Sequence, residues 1–252
     1  MTPSSPISGK TALIAGGTSS IGAAVAARFA KEGARVILAG RSSEKLHAAF
    51  LQLTKVLPRP ELAVSNPASH TTARLDVASL AHWKDVTRIH PRIDILVNCA
   101  GISQEKLLVL ANEDEIGEIL SVNLQGTILG CKLVGKAMMR RKSGVIINVS
   151  SLLAHCAVVG TSVYAAAKAG VVGLTNALSQ EYGRFGVRVN AVVPGYIESP
   201  MTKDLKDRDE LIKQIPLERF GTPEEVADAI LFLARNQYAN NCILNLDGGL
   251  SA

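Results

Sequence analysis

The chain has 252 residues, 47% of them hydrophobic, and a formal net charge of +5. That length suits one α/β domain, 1–252, able to bury a core without disulfides or metals, and its apolar runs are too often broken by charged residues and glycine to span a bilayer. The modest positive balance comes without aromatic interleaving or a recognition-helix pattern, which argues against nucleic acid as a partner.

In chain order, residues 1–8 carry Pro and Ser without a basic start and an apolar stretch. They are expected to be disordered and not a secretory signal. A first strand, Thr11 to Ala15, runs into Gly16-Gly17-Thr18-Ser19-Ser20-Ile21-Gly22 and then a helical pattern from Ala23 to Lys31. A glycine-rich turn between strand and helix lets the backbone approach a pyrophosphate, whose charge meets the N–H groups of the helix start. Taken alone it is also an ordinary structural turn.

The second strand, Arg35 to Ala39, ends in Gly40-Arg41. A fold that selects NAD usually has Asp or Glu here for the ribose 2′-hydroxyl. An arginine suits a 2′-phosphate instead, so NADP(H) is the expected cofactor; a solvent-facing Arg is the bland alternative. Residues 56–72 read as loop, punctuated by Pro58, Pro60, Asn66 and Pro67. Further strands are expected at Ala73 to Leu75, Ile93 to Val97, Val145 to Val149, Val187 to Val192 and Ile243 to Leu246, with helices between them. Alternating strands and helices predict a Rossmann-type fold: a doubly wound, seven-stranded parallel sheet covered by helices on both faces.

The stretch Ser162 to Tyr182 is apolar on nearly every side. A helix of that kind needs a second covering surface, which another subunit would supply. Arg140-Arg141-Lys142 is either a docking patch for an acidic partner or a solvated helix end. The four cysteines, Cys99, Cys131, Cys156 and Cys242, form no C-x-x-C pair and suggest a reducing compartment. His47, His70, His82 and His90 show no metal-ligand spacing, so no metal is expected. Trp83 reads as packing, and His155 as a loop residue that either faces solvent or lines a substrate pocket.

Tyr164 and Lys168 stand four apart, with Ser151 thirteen residues before the tyrosine. On a helix, positions i and i+4 share a face, and an ammonium near a phenol favours release of its proton. The pair also arises by chance in many helices; the order of motifs around it decides. Asp76-Val77, Asn98-Cys99-Ala100-Gly101, Asn123, Ser151, Tyr164, Lys168 and Pro194-Gly195-Tyr196-Ile197-Glu198-Ser199 follow the glycine-rich turn in sequence. From about Gly9 to Leu250 the chain resembles the classical short-chain dehydrogenase/reductase family.

The resemblance implies an NADP(H)-dependent oxidoreductase in which Tyr164 donates a proton and Ser151 orients the substrate oxygen. Lys168 would bind the nicotinamide ribose and assist Tyr164, and Asn123 would hold a water linking Lys168 to solvent. Dinucleotide contacts would come from Gly16, Thr18, Ser19, Ser20, Ile21, Gly22, Arg41, Asp76, Val77, Asn98, Ala100 and Gly101, together with Tyr164, Lys168, Pro194, Gly195, Ile197 and Ser199. Three positions depart from the family pattern: Ala15 replaces Thr, Ser20 replaces the middle Gly of the turn, and Cys99 replaces Asn.

Met201 to Leu205 and Ile215 to Ala227 resemble the 3-oxoacyl-[acyl-carrier-protein] reductases, as does Gly101-Ile102 through Leu107-Leu108. That implies reduction of a 3-oxoacyl thioester in fatty acid synthesis. Acyl carrier protein, being acidic, would dock on Arg140, Arg141, Lys142 and Arg184. Asn240-Asn241-Cys242 departs from the usual Ile-Thr-Gly. The alternatives are a reductase or dehydrogenase for another small ketone or alcohol, and an NADP-binding scaffold without catalysis. The family pattern implies a homotetramer built through the helices around Asn112 to Arg141 and Thr161 to Arg184 and through the last strand, in the cytoplasm or mitochondrial matrix.

Overall fold

The computed structural model describes residues 6–55, 70–203, 205 and 207–251. Seven strands, β1 (Thr11–Ala15), β2 (Arg35–Gly40), β3 (Thr71–Arg74), β4 (Ile95–Asn98), β5 (Gly144–Val149), β6 (Val187–Pro194) and β7 (Ile243–Leu246), form one sheet in the order β3-β2-β1-β4-β5-β6-β7. Every neighbouring pair is parallel. All seven expected strands are present, their ends moved by at most two residues. Most of the predicted loop at 56–72 lies outside the described residues.

The connecting helices are α1 (Ser20–Lys31), α2 (Ser43–Lys55), α3 (Leu80–Ile89), α4 (Glu113–Leu120), α5 (Gly126–Arg141), α6 (Ser162–Gly183), α7 (Pro200–Lys203), α8 (Arg208–Gln214) and α9 (Pro223–Arg235). Adjacent strand residues point to opposite faces, and the core divides accordingly. Ile14, Val97 and Ile147 pack with Phe29 of α1 and Ile230 of α9. Leu13, Leu96 and Ile146 pack with Trp83 of α3, Met138 of α5 and Leu178 of α6. The central strands are buried on both sides, as a parallel sheet requires, and Trp83 is the packing residue the sequence suggested.

One expectation needs correction. Of the stretch 1–8, expected to be disordered, residues 1–5 lie outside the described residues, but Ile7 is fully buried in the core. The backbone around it is tied down by hydrogen bonds from Lys10 N to Ile7 O and from Gly9 N to Gly33 O. Helix α6, by contrast, has the uncovered side that its sequence implied within one chain. Val163, Ala167, Val171 and Leu178 are buried, whereas Ala166, Ala169, Gly173 and Ala177 form an exposed stripe at helical spacing.

Two features of the C-terminal third find structural explanations. Asn240 accepts a hydrogen bond from Val189 N and donates one to Ser179 O, and Asn241 adopts the left-handed conformation (φ 61°) that Asn tolerates. The departure from Ile-Thr-Gly is thus absorbed locally beside β6 and β7. The segment Arg219 to Glu225 is the entry to α9: Thr222 and Glu225 form a reciprocal capping box with Pro223 in the first turn, and Arg219 donates to both Glu225 carboxylate oxygens. This part of the resemblance builds the entry to α9.

Hydrogen bonding to Arg219, and then to the backbone N–H of Thr222, holds the Glu225 carboxyl down to about 2. An unfolded Glu titrates near 4.3, so the charged cap contributes stability above that pH and loses it as pH falls towards 2. Glu225→Gln is therefore expected to lower the thermal midpoint at pH 7 by about 1–3 °C, a modest effect for an exposed, screened pair, with the difference from wild type shrinking towards pH 2. Thermal melts across pH check it; a difference that grows in acid contradicts it.

Candidate active site

The chain order reverses between β1 and β4, which places a crevice where their C-terminal ends separate. The two ends are in close contact there: a Cβ on Gly16, whose φ is +88°, would come 2.6 Å from Ala100 N. A Cβ on Gly22 would come 2.2 Å from Gly16 O. Both positions therefore demand glycine for backbone packing. Ser20 does not adopt a positive φ, so the Cβ it brings in place of the family glycine is conformationally tolerated in the first turn of α1. Ser19 caps that helix by accepting from Gly22 N at 3.1 Å, and its hydroxyl also lies 3.6 Å from Cys99 Sγ.

One cleft is lined by Gly16, Thr18, Ser19, Arg41, Asp76, Val77, Ala100 and Gly101, eight of the predicted dinucleotide contacts. Lys45, from the first turns of α2, lines it too, and the sequence reading missed it. The nearest carboxylate to Arg41 is Glu118 at 3.9 Å, with both side chains about 60% exposed. The Asp76-Val77 pair is held from α3: Asp76 N donates to His82 Nδ1 at 3.1 Å, and Trp83 Nε1 donates to Val77 O at 2.9 Å. The side chain of Asn98 does not join the cleft. It is buried beneath it, donating to Asn148 Oδ1 at 2.9 Å, and Asn148 donates in turn to Thr175.

Asn123 sits in a single π-helical turn, Ser121–Gln125, between α4 and α5. Such bulges inside α-helices frequently mark functional positions. The Asn123 side chain is fully buried; it accepts from Ile102 N and donates to Ile102 O and Ile119 O. One lone pair of its Oδ1 is left for another partner. A Cβ on Gly101 would lie 2.7 Å from Asn123 Oδ1 and 3.5 Å from Lys168 Nζ, so these two side chains meet at Gly101.

Lys168 is 4% exposed and lies 5.6 Å from the centroid of the Tyr164 ring. Its hydrogen bond to protein, among the described residues, runs to Val149 O at 2.9 Å. A buried ammonium has three donors and is costly to leave underused; the remaining donors suit ligand hydroxyls. Ser151 caps the 3₁₀ turn Leu152–Ala154, which packs on α6, and accepts from Leu153 N at 3.2 Å. Its hydroxyl proton remains to donate. His155 is exposed.

Pro194 closes β6, and Gly195, Ile197 and Ser199 follow it. Gly195 N donates to Leu246 O, and a Cβ on Gly195 would come 2.8 Å from that of Asp247. Thr202, which the sequence reading passed over, binds Ile197 O through its hydroxyl and accepts from Ser199 N. Arg140, Arg141, Lys142 and Arg184 do not join the site. They close α5 and α6 at the ends remote from Asn123 and Tyr164, roughly 25–30 Å away at 1.5 Å per helical residue. Arg141 there donates to Ile93 O at 2.7 Å.

Among the described residues, no His, Cys, Asp and Glu side chains group as a metal site, and no helix is long and apolar enough to cross a membrane. Residues 15–251 match the family model described as enoyl-(acyl carrier protein) reductase. The chain is 39% identical over 248 residues to 3-oxoacyl-[acyl-carrier-protein] reductase FabG of Thermotoga maritima, covering 97% of this chain and 98% of that one. It is 37% identical over 245 residues to carbonyl reductase family member 4 of Xenopus laevis, covering 96% and 98%. A solved structure described as a short chain dehydrogenase/reductase family protein superposes with a TM-score of 0.87 at 33% identity, over 98% of this chain and 100% of that one.

Proposed function

The chain belongs to the short-chain dehydrogenase/reductase family of oxidoreductases, and on that premise we propose that it reduces 3-oxoacyl thioesters to 3-hydroxyacyl thioesters with NADPH. The observation that carries the reading is the convergence of Asn123 and the buried Lys168 on Gly101, with Tyr164 on the same face of α6. When bound, the dinucleotide supplies the hydride that reaches the carbonyl carbon. As negative charge builds on the substrate oxygen, the Ser151 hydroxyl donates a hydrogen bond to it and the Tyr164 phenol releases its proton to it. The Lys168 ammonium stabilises the phenolate left behind and offers its spare donors to ribose hydroxyls. Asn123 pins the loop at Ile102 and keeps one acceptor for a water beside Lys168.

Arg41 and Lys45 supply two cations where a ribose 2′-phosphate would lie, which favours NADP(H) over NAD(H). Identity with an acyl-carrier-protein reductase supports the thioester substrate. Similar identity with a carbonyl reductase supports a second reading, a reductase of other small ketones. Absorbance of reduced nicotinamide, followed with an acetoacetyl thioester and with simple ketones, separates them. Turnover on ketones alone sinks the thioester assignment.

We place the acyl carrier protein contact on Arg140, Arg141, Lys142 and Arg184 of a second copy. Packing the exposed stripe of α6 antiparallel against the same stripe would bring one subunit's helix ends beside the other's site, an arrangement that isologous symmetry allows and that a homotetramer would repeat. Reversing the charge of Arg140 and Arg184 is then expected to raise KM for a carrier-protein substrate by about 10-fold while leaving a small thioester unaffected, and the difference should fade at high salt. Equal KM values for both substrates would contradict the patch.

A further inference from the structure

We propose that Gln104 is a positioning residue for carbonyl reduction: from the loop after β4 it caps the first turn of α6 and so fixes where Tyr164 stands. The inference rests on the reading of Tyr164 as proton donor. Helix α6 begins without a cap of its own. Thr161, in the N-cap position, makes no side-chain bond to the helix; its hydroxyl turns back to Val158, donating to Val158 O at 2.7 Å and accepting from Val158 N at 3.3 Å. The N–H groups of Val163 and Tyr164, which a capping side chain normally serves, instead donate to Gln104 Oε1 at 2.7 and 3.1 Å.

Gln104 is itself 6% exposed, so water does not take over this duty when the side chain is lost. Its Nε2 donates to Lys106 O at 2.9 Å, and Lys106 N donates to Gly160 O at 3.1 Å, where Gly160 takes the left-handed conformation (φ +84°). The loop after β4 and the approach to α6 are therefore clamped to each other at two points. Two residues earlier, Ile102 is bonded through both its N–H and its carbonyl to the Asn123 side chain. One short segment thus runs from Gly101 at the dinucleotide cleft, past Asn123, to the backbone of Tyr164. A capping side chain supplied from outside α6 registers the phenol against the cleft, which a cap within the helix could not do.

The test is steady-state kinetics with Gln104→Leu, which removes the acceptor, and Gln104→Glu, which keeps an acceptor and suits a helix N-terminus. Gln104→Leu is expected to lower kcat by about 10- to 100-fold, as misplacement of a reacting group does, with the dinucleotide dissociation constant within about twofold of wild type. Gln104→Glu keeps the acceptor for α6 but loses the donor to Lys106 O, so it is expected to recover part of kcat, to a value between Gln104→Leu and wild type. Wild-type kcat in Gln104→Leu, an equal loss of dinucleotide affinity, or no recovery with Glu each overturns the proposal. Should Gln104→Leu not fold, amide exchange in the wild-type protein still decides: the Val163 and Tyr164 amides are expected to exchange slowly, and exchange at the rate of open first-turn amides overturns it. Tyr164→Phe, run in parallel, reports on the underlying reading. Turnover that survives it removes both ideas, whereas loss there beside an unaffected Gln104→Leu removes only this one.

Discussion

Replacing Tyr164 with Phe is expected to lower turnover by about 10²- to 10⁴-fold, the range that a positioned general acid contributes, while dinucleotide binding stays close to wild type. The phenyl ring keeps the shape of the side chain, the 5.6 Å approach of Lys168 Nζ to the ring and the backbone bonds to Gln104. The hydroxyl, with its exchangeable proton, is what is removed, so the substrate oxygen must draw its proton from water. Kinetics beside equilibrium titration with reduced dinucleotide checks the split. Retained turnover would mean another group is the acid. Intact binding with no turnover in the wild type either would favour a dinucleotide-binding scaffold over an enzyme.

The second large effect belongs to Arg41. A charge-assisted hydrogen bond to a phosphate contributes about 1.5–3 kcal/mol, so Arg41→Ala is expected to weaken NADPH binding by roughly 10- to 100-fold and leave NADH nearly unchanged. Lys45 is a point charge without the planar fork of arginine, and Lys45→Ala should cost less. The Glu118 carboxylate at 3.9 Å is too exposed to hold Arg41 away from a dianionic ligand. Titrating both variants with both dinucleotides checks this. An equal loss for NADPH and NADH would assign Arg41 to general cleft shape and reopen the question of cofactor.

What was legible in the sequence follows from how local the cause is. The central strands are short β-branched or apolar runs buried on both faces, so their composition and length betray them, and the glycine at position 22 is demanded by backbone contacts within one turn. The capping box at Thr222 and Glu225 is equally local. Other features depend on residues far apart in the chain. Gln104 reaches α6 across 59 and 60 residues, and no periodicity encodes that. Lys45 and His82, by contrast, lie close in the chain to Arg41 and Asp76, but each stands in a helix start that no motif marks.

Asn98 and Asn123 show the converse. Their motifs identified them, yet their amides are spent on buried protein partners, so position in a motif did not reveal which atoms remain free. The basic run at the end of α5 was equally conspicuous, and only the three-dimensional path of the helix places it away from this copy's site.

The most direct test of the central claim follows the atoms. The purified protein is incubated with an acetoacetyl thioester and NADPH deuterated at the transferring C4 position, and the product is analysed by mass spectrometry. The account predicts a 3-hydroxyacyl thioester carrying one deuterium at C3, absent with Tyr164→Phe. A thioester recovered unreduced, while a simple ketone in the same buffer takes up the label, would contradict the acyl-thioester function and leave a carbonyl reductase of another specificity.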